Sequence, residues 1–280
     1  MVPSRGLALN DVAERLGVHY MTVYGYVRTG RLPAEKEGGE WRVKPADLRA
    51  FERAASGRKK VGGRAGRRLR RAEASARLEG RLLAGDEAGA WTIAEEVMSA
   101  GATPADIHLD LLIPALQSIG EKWAHGEIDV ADEHVASAIA SRVVGRLGPR
   151  FARRGRRRGV VVLGAPAGQR HGLATAILAD LLRGESFDVV DLGPDVPAKS
   201  FVLAVRGLPG VDAIGISVAT DDGRRELVKL VKELRQSGYT GRIVVGGAGV
   251  ADSTGSPPAG VTEVVPEMRA ALEVFRSIYP

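Results

Sequence analysis

The sequence predicts a multidomain chain. A winged helix-turn-helix (helical, with a small β wing) comes first, then a four-helix bundle, then a doubly wound, Rossmann-like α/β domain. Three observations predict this. Two short helices with apolar faces, separated by a glycine, lie within residues 7–53 ahead of a Gly-Gly hairpin signal. Residues 73–148 carry apolar residues at helical spacing with short breaks between segments. From Gly159 onward, strand and helix patterns alternate.

Composition sets the frame. The 280 residues have 44% apolar content, enough for more than one core. No run of about 18 apolar residues implies a membrane span. The N-terminus Met-Val-Pro-Ser-Arg-Gly lacks a signal-peptide apolar region. The chain has no cysteine, which excludes disulfides and thiolate chemistry and agrees with a cytoplasmic location. Charge is uneven: residues 1–75 hold 17 Lys+Arg against 8 Asp+Glu, an excess of nine, while the whole chain carries +6, leaving −3 for the rest. A basic N-terminal part on an acidic body points to a polyanion partner, most simply nucleic acid.

In residues 1–55, Asn10 is expected to cap a helix over Asp11–Leu16 that Gly17 ends. A second helix, His19 to Thr29, turns Val23 and Val27 inward and leaves Tyr20, Thr22, Tyr24, Tyr26 and Arg28 on more polar faces. Gly38-Gly39 between extended runs predicts a hairpin, and Pro45 opens a third helix. The run ALNDVAERLGVHYMTVYGYVRTGRLPA…WRVKPADLRAF resembles the MerR/excisionase winged-helix family. The resemblance implies DNA contacts from Tyr20, Thr22, Tyr24 and Arg28 on the second helix and from Arg42 in the wing.

Residues 56–71, rich in Arg, Lys and Gly, read as a basic linker. The bundle, residues 72–149, is expected to comprise helices Ala74–Ala84, Glu87–Ala100, Pro104–His125 and Val130–Leu147, with Thr103-Pro104 as a capped start. Arg150–Arg158 reads as a second basic linker. In the α/β domain, residues 159–280, strands are expected at Val160–Leu163, Asp188–Leu192, Ala213–Val218, Arg242–Val245 and Val261–Val264, and a last helix at Glu267–Ile278. Ligands of such sheets sit at the carboxyl ends of the strands. The loops there are Gly164–Arg170, leading to His171; Gly193–Asp195; Ser217–Thr220; and Gly246–Gly249.

His171, Ser217 lying 46 residues on, and Gly246-Gly247 beginning 29 residues after Ser217 together resemble the cobalamin-binding domain of methionine synthase, mutases and related regulators. The resemblance implies that His171 is the lower axial ligand of cobalt, for which imidazole nitrogen is a suitable donor. It also implies that Ser217 contacts the nucleotide tail and that Gly246-Gly247 let the tail pass. Asp195 and Thr220, on the neighbouring loops, join the expected cofactor-binding set. Two positions depart from the pattern. Gln169 stands where an acidic residue is usual, and is expected to accept from the ligand's other ring nitrogen. Ala174 stands where a glycine is usual.

Trp123, followed by Glu133 and His134 as Trp-x9-Glu-His, resembles the light-sensing cobalamin regulators of the CarH/LitR type, which have the same domain order. Gly126 keeps Trp123 and Glu133 off one helix. The resemblance implies that Trp123, Val130 and Glu133 face an adenosyl group and that His134 becomes the upper cobalt ligand after photolysis. It implies a non-enzymatic repressor, tetrameric on operator DNA in the dark with adenosylcobalamin, smaller and released in the light. His108 and His125 read as ordinary helix residues. The alternatives are a corrinoid methyl-carrier protein and a regulator whose sensor domain has lost cobalamin or taken another ligand such as a bilin.

Overall fold

The structure, a computed structural model, describes residues 6–16, 20–28, 32–51, 64–220, 223–250 and 257–278. The chain divides into two compact units, Met1–Arg70 and Arg71–Pro280.

In the first unit, β1 (Leu7–Ala8), α1 (Leu9–Leu16) and α2 (Tyr20–Arg28) precede β2 (Glu35–Glu37), β3 (Glu40–Val43) and a helix, α3, over residues 45–51. The strands form one antiparallel sheet, β1-β3-β2. Gly38 and Gly39 both have positive φ, +62° and +90°, as a two-residue hairpin turn matched to strand twist requires. Leu9, Val12, Ala13, Val23, Val27, Leu32, Val43 and Leu48 make the core. The start of α1 corrects the expected cap at Asn10. Leu9 is already helical and buried, and the Ala8 N–H donates to Asp11 Oδ2 at 3.2 Å, a side chain reaching back to the residue ahead of the helix. Gly17, Val18, His19, Thr29 and Gly30 lie outside the described residues, as does 52–63.

The second unit begins with four helical segments. They are α4 (Arg64–Leu83) from Arg71 onward, α5 (Glu87–Ser99), a composite third and α8 (Val130–Leu147). The basic linker expected over 56–71 is corrected at its end, because helix α4 already starts at Arg64. Arginine, alanine and leucine are strong helix formers, and the helix continues into the buried Leu78 and Leu82. Asp86 caps α5, while Thr103 with Asp106 and Asp129 with Asp132 form reciprocal capping boxes. The helix expected over Pro104–His125 is not continuous. It runs as α6 (Pro104–Ile107), a π-turn (His108–Leu112) and α7 (Ile113–Ala124). Pro114 is the physical reason: it lacks the N–H that would bond to Asp110 and crowds that carbonyl, and a wider turn relieves both.

The α/β part carries β4 (Val160–Gly164), α9 (Leu173–Gly184), β5 (Asp188–Asp191), α10 (Ala198–Gly207), β6 (Val211–Ser217), α11 (Arg224–Gln236), β7 (Arg242–Gly246), β8 (Glu263–Val264) and α12 (Met268–Ser277). All neighbouring strands are parallel, in the order β5-β4-β6-β7-β8. Alternate residues feed opposite layers. Val161, Leu163, Ala213 and Val244 join the core of α9 and α12; Val162, Ile214, Ile216, Ile243 and Val245 join that of α10 and α11. The helical segments share the first of these cores, and α8 packs on α9.

Two residues in that shared core have partners distant in sequence. His108 is fully buried on the π-turn. It stacks on Phe151 (5.0 Å between ring centroids, 5° between planes), and its Nε2 donates to Asp180 of α9 at 3.1 Å. His108 is thus a cross-layer tie rather than an ordinary helix residue. Phe151 itself ends a 3-10 turn, Gly148–Phe151, so the connector expected from Arg150 begins inside packed structure.

Candidate functional site

Strand order reverses between β4 and β6, so the crevice of this sheet lies where those strands end. The loop after β4 is fixed on two sides. On one side, the Ala165 N–H donates to the Gly193 carbonyl (2.9 Å) and the Val196 N–H to the Ala165 carbonyl (2.9 Å). Asp195 clamps the turn twice. Its Oδ1 accepts from the Gly168 N–H at 2.7 Å, and its own N–H donates to the Gln169 carbonyl at 2.8 Å. Asp195 has φ +56°, a left-handed conformation that Asp tolerates better than most residues.

On the other side stands Gln169, 2% exposed. Its Oε1 accepts from the N–H groups of Ala219 (2.7 Å) and Thr220 (3.1 Å), and its Nε2 donates to Thr220 Oγ1 (2.8 Å). This corrects the expectation that Gln169 orients the imidazole of His171. Its amide is committed to the loop after β6, where two inward-pointing N–H groups compete more effectively for the acceptor than a ring on an exposed loop.

The glycine pair is also explained differently than expected. A Cβ on Gly246 would lie 2.8 Å from the Val265 carbonyl oxygen, and one on Gly247 only 2.3 Å from that of Val218. Gly247 in addition has φ +106°. Both absences of a side chain serve the approach of the protein's own backbone, and so shape the crevice before any ligand enters.

His171 is exposed at the mouth, with no hydrogen bond among the described residues. It lines a cavity of about 640 Å³ together with Ala174, Ser217, Thr220, Gly246 and Gly247 from the sheet side. The opposite wall comes from α7 and α8: Leu116, Gly120, Trp123, Glu133 and Ser137. Trp123 is 44% exposed, unusual for so large an apolar ring unless something covers it. Glu133 is 13% exposed and accepts from Ser137 Oγ at 2.6 Å and from His134 Nδ1 at 2.6 Å. Burial works against the charge of Glu133. Those two hydrogen bonds, with the imidazoles of His134 and His171 close by, nonetheless hold its carboxyl below the usual range.

His134 itself is 72% exposed and does not line the cavity. Consecutive residues on a helix diverge by about 100°, so with Glu133 turned inward His134 points away. Val130 is also exposed and off the wall. The expected set therefore divides. The structure gathers Trp123, Glu133, His171, Ser217, Thr220, Gly246 and Gly247 around one cavity, and leaves Val130, His134, Gln169 and Asp195 outside it, the last two as braces of the His171 loop. Among the DNA-contact candidates, Tyr20 and Arg28 are exposed on α2, Tyr24 and Arg42 are partly buried, and Arg42 pairs with Glu40 at 2.9 Å. The Thr22 side chain lies outside the described residues.

Gly120 carries a signal that sequence reading passed over. A glycine inside a helix costs roughly 1 kcal/mol against alanine. Here it lines the cavity one turn before Trp123, and a Cβ on it would meet nothing within 4 Å. Among the described residues no group of three or more His, Asp or Glu forms a metal cage. A large planar group that brings its own equatorial ligands and needs one imidazole fits what is present: one exposed ring, an apolar wall and a helix shaved by glycine.

Comparison with known proteins agrees. Residues 7–56 match the helix-turn-helix domain, and residues 74–147 and 159–275 each match a B12 binding domain. Trimethylamine corrinoid protein 1 of Methanosarcina acetivorans is 30% identical over 201 residues, which covers 67% of this chain and 91% of the relative. Trimethylamine corrinoid protein 1 of Methanosarcina mazei is 28% identical over 199 residues, with the same coverage of 67% and 91%. The fold is that of the Methanosarcina barkeri monomethylamine corrinoid protein, with TM-score 0.65 and 20% identity over 74% of this chain and 98% of that one. The chain thus belongs to the family of B12-binding corrinoid proteins, and carries a helix-turn-helix domain in addition.

Proposed function

We propose that this protein is a cobalamin-dependent transcriptional regulator, without catalysis of its own, that senses light through adenosylcobalamin and acts in the cytoplasm on operator DNA. The observation that carries this reading is the facing of Glu133 and Trp123 toward His171 across one cavity, in a chain that also holds a helix-turn-helix. When bound, adenosylcobalamin supplies a cobalt–carbon bond that light cleaves. His171 would offer imidazole nitrogen to the metal from the sheet side, on a loop already held by Gln169 and Asp195. Trp123 would cover the adenosyl group with apolar surface, and the ionised Glu133 would accept from its hydroxyls.

His134 would reach the group only after leaving its bond to Glu133 and rotating inward, so the start of α8 would have to move. That movement would be the two-state element that the bound group biases. In the dark a tetramer would bring several winged helices to the operator at once, offsetting the small reading surface of each.

A second reading, a corrinoid protein carrying methyl groups for a methyltransferase, is favoured by the names of the similar methanogen proteins. One experiment separates the two. Full-length protein is given adenosylcobalamin in the dark, and its visible spectrum, sedimentation and retention of promoter DNA are followed before and after green light. The regulator binds corrinoid, holds DNA as a large species, and loses both assembly and DNA on illumination. Bound corrinoid with unchanged assembly and DNA retention sinks the light switch. Methylation of the bound, reduced corrinoid by an added methyltransferase and its methylamine substrate, with release of the demethylated amine and no DNA retained, establishes the carrier. No bound corrinoid sinks both.

A further inference from the structure

We propose that the arginine-rich connector over residues 150–158, in the second unit, is a separate phosphate-contacting surface that takes the backbone of duplex DNA. The inference rests on the reading of the helix-turn-helix as DNA-binding, and adds a contact that lies outside that domain.

Six arginines, and no acidic residue, fall within the nine positions from Arg150 to Arg158. Arg150, Arg153, Arg154, Arg156 and Arg157 are exposed. The segment is held at both ends. Phe151 is buried against His108. Arg153 Nε donates to the Gly184 carbonyl at 3.1 Å, and the Arg158 N–H donates to the Ser186 carbonyl at 2.9 Å. The Arg158 guanidinium lies 5.3 Å over the ring of Phe187. Between these anchors Gly155 turns the chain with φ +117°, a conformation that side chains rarely adopt, so that three of the six arginines precede the bend and three follow it.

The surroundings sharpen the point. The part of the chain after residue 75 carries −3; without these six arginines it would carry −9. A body that acidic has carboxylates to offer. Yet among the described residues Arg150, Arg154, Arg156 and Arg157 pair with none. The nearby Glu185 is taken by Arg158 and Arg276, and Asp180 by His108 and Arg183. All six basic positions are arginine, whose planar fork matches phosphate oxygens two at a time. Because the ends are already fixed, little chain order remains to be lost on binding.

The test uses the full-length protein and a short duplex of arbitrary sequence, with affinity measured across a salt series. Replacing three exposed arginines together, Arg154→Gln, Arg156→Gln and Arg157→Gln, is expected to make the slope of log affinity against log salt shallower by about 2.7, at ~0.9 per phosphate contact, and to weaken binding at low salt at least about tenfold. Far-ultraviolet dichroism and the spectrum of bound corrinoid stay as in the unaltered protein, which shows that the triple variant folds. Arg28→Gln on α2 serves as the reference: it weakens binding through the helix-turn-helix while keeping the connector's share of the slope. Unchanged slope and affinity in the triple variant, with the unaltered protein still binding DNA, overturn this inference alone. Loss of binding to vesicles of anionic phospholipid without loss on DNA overturns it too. Unaltered protein that binds no duplex at all overturns it together with the DNA-binding reading.

Discussion

The two walls of the cavity are built on different principles. On the sheet side, the shape is set by main chain. The loop bearing His171 is locked to its neighbours by Asp195 and Gln169, and the glycines after β7 allow backbone to meet backbone. On the helix side, the shape is set by side chains at the ends of α7 and α8, several of them exposed, with Trp123 and Glu133 turned in and His134 turned out. A wall made of interlocked main chain keeps its geometry whether or not a ligand is present. A wall made of partly exposed side chains at helix ends can rearrange at small cost. On the regulator reading proposed above, the first suits the side that would hold the ligand, and the second the side that would report on it.

The sharpest way to break this contrast is Gly247→Ala. The added Cβ meets the Val218 carbonyl at 2.3 Å in a left-handed backbone, so strain and clash together should destabilise the second unit by about 3 kcal/mol or more, read by urea unfolding. A cost under about 1 kcal/mol would mean that the sheet-side loops adapt, and the contrast would fail.

Gln169→Ala should come next, at about 2–4 kcal/mol, because it strands two backbone N–H groups and a hydroxyl. Gln169→Glu is the control. A carboxylate can accept from the same two N–H groups and from the Thr220 hydroxyl, so most of the stability should return. If Gln169 instead acted on the His171 ring, the alanine variant would unfold like the unaltered protein and differ only in its corrinoid spectrum.

How much of this was legible in the sequence follows the same division. The strands of the α/β part were legible because buried parallel strands are short β-branched runs, and Val160–Gly164 and Arg242–Gly246 fall within a residue of expectation. His171, Ser217 and the glycine pair lie on loops that follow strands, and it was their spacing, through the resemblance it carries, that singled them out. The role of Gln169 was not legible, since its partners lie some 50 residues away and only folding brings them together. The same holds for His108 and Asp180, separated by 72 positions. Two other corrections were within reach. Pro114 inside a supposed helix announces an irregular turn, and consecutive positions 133 and 134 on a helix cannot both face one cavity. The two-residue strand β1 left no periodic trace at all.

Gly120→Ala sharpens the contrast from the other wall. In the absence of corrinoid it should stabilise the unit by about 0.5–1 kcal/mol, because alanine is the better helix residue and its methyl meets open space. Corrinoid affinity should fall at the same time, and Gly120→Leu should abolish binding while leaving the fold intact. Thermal unfolding and equilibrium titration with hydroxocobalamin measure the two effects. If stability rises and affinity is unchanged, the glycine does not mark where the ligand lies.

The smallest effect is expected at His134. Its side chain is mostly in water, so His134→Ala should change the stability of the corrinoid-free protein by no more than about 0.5 kcal/mol at neutral pH. Even this should depend on pH in a defined direction. Glu133 is more acidic in the folded protein than an ordinary glutamate at 4.5, despite its burial, because Ser137 and His134 bond to its charged form. A carboxyl lowered on folding stabilises the fold fully above the unfolded value, and that contribution disappears as the pH falls through the folded one. Removing the His134 partner raises the folded value toward the ordinary one. The difference between the unaltered protein and the variant should therefore be largest above pH 4.5 and vanish in stronger acid, which urea melts at a series of pH values resolve. A loss well above 1 kcal/mol at neutral pH would place His134 among the fixed contacts of the fold. The helix-side wall would then be as rigid as the sheet side, and the contrast between the two walls would fail.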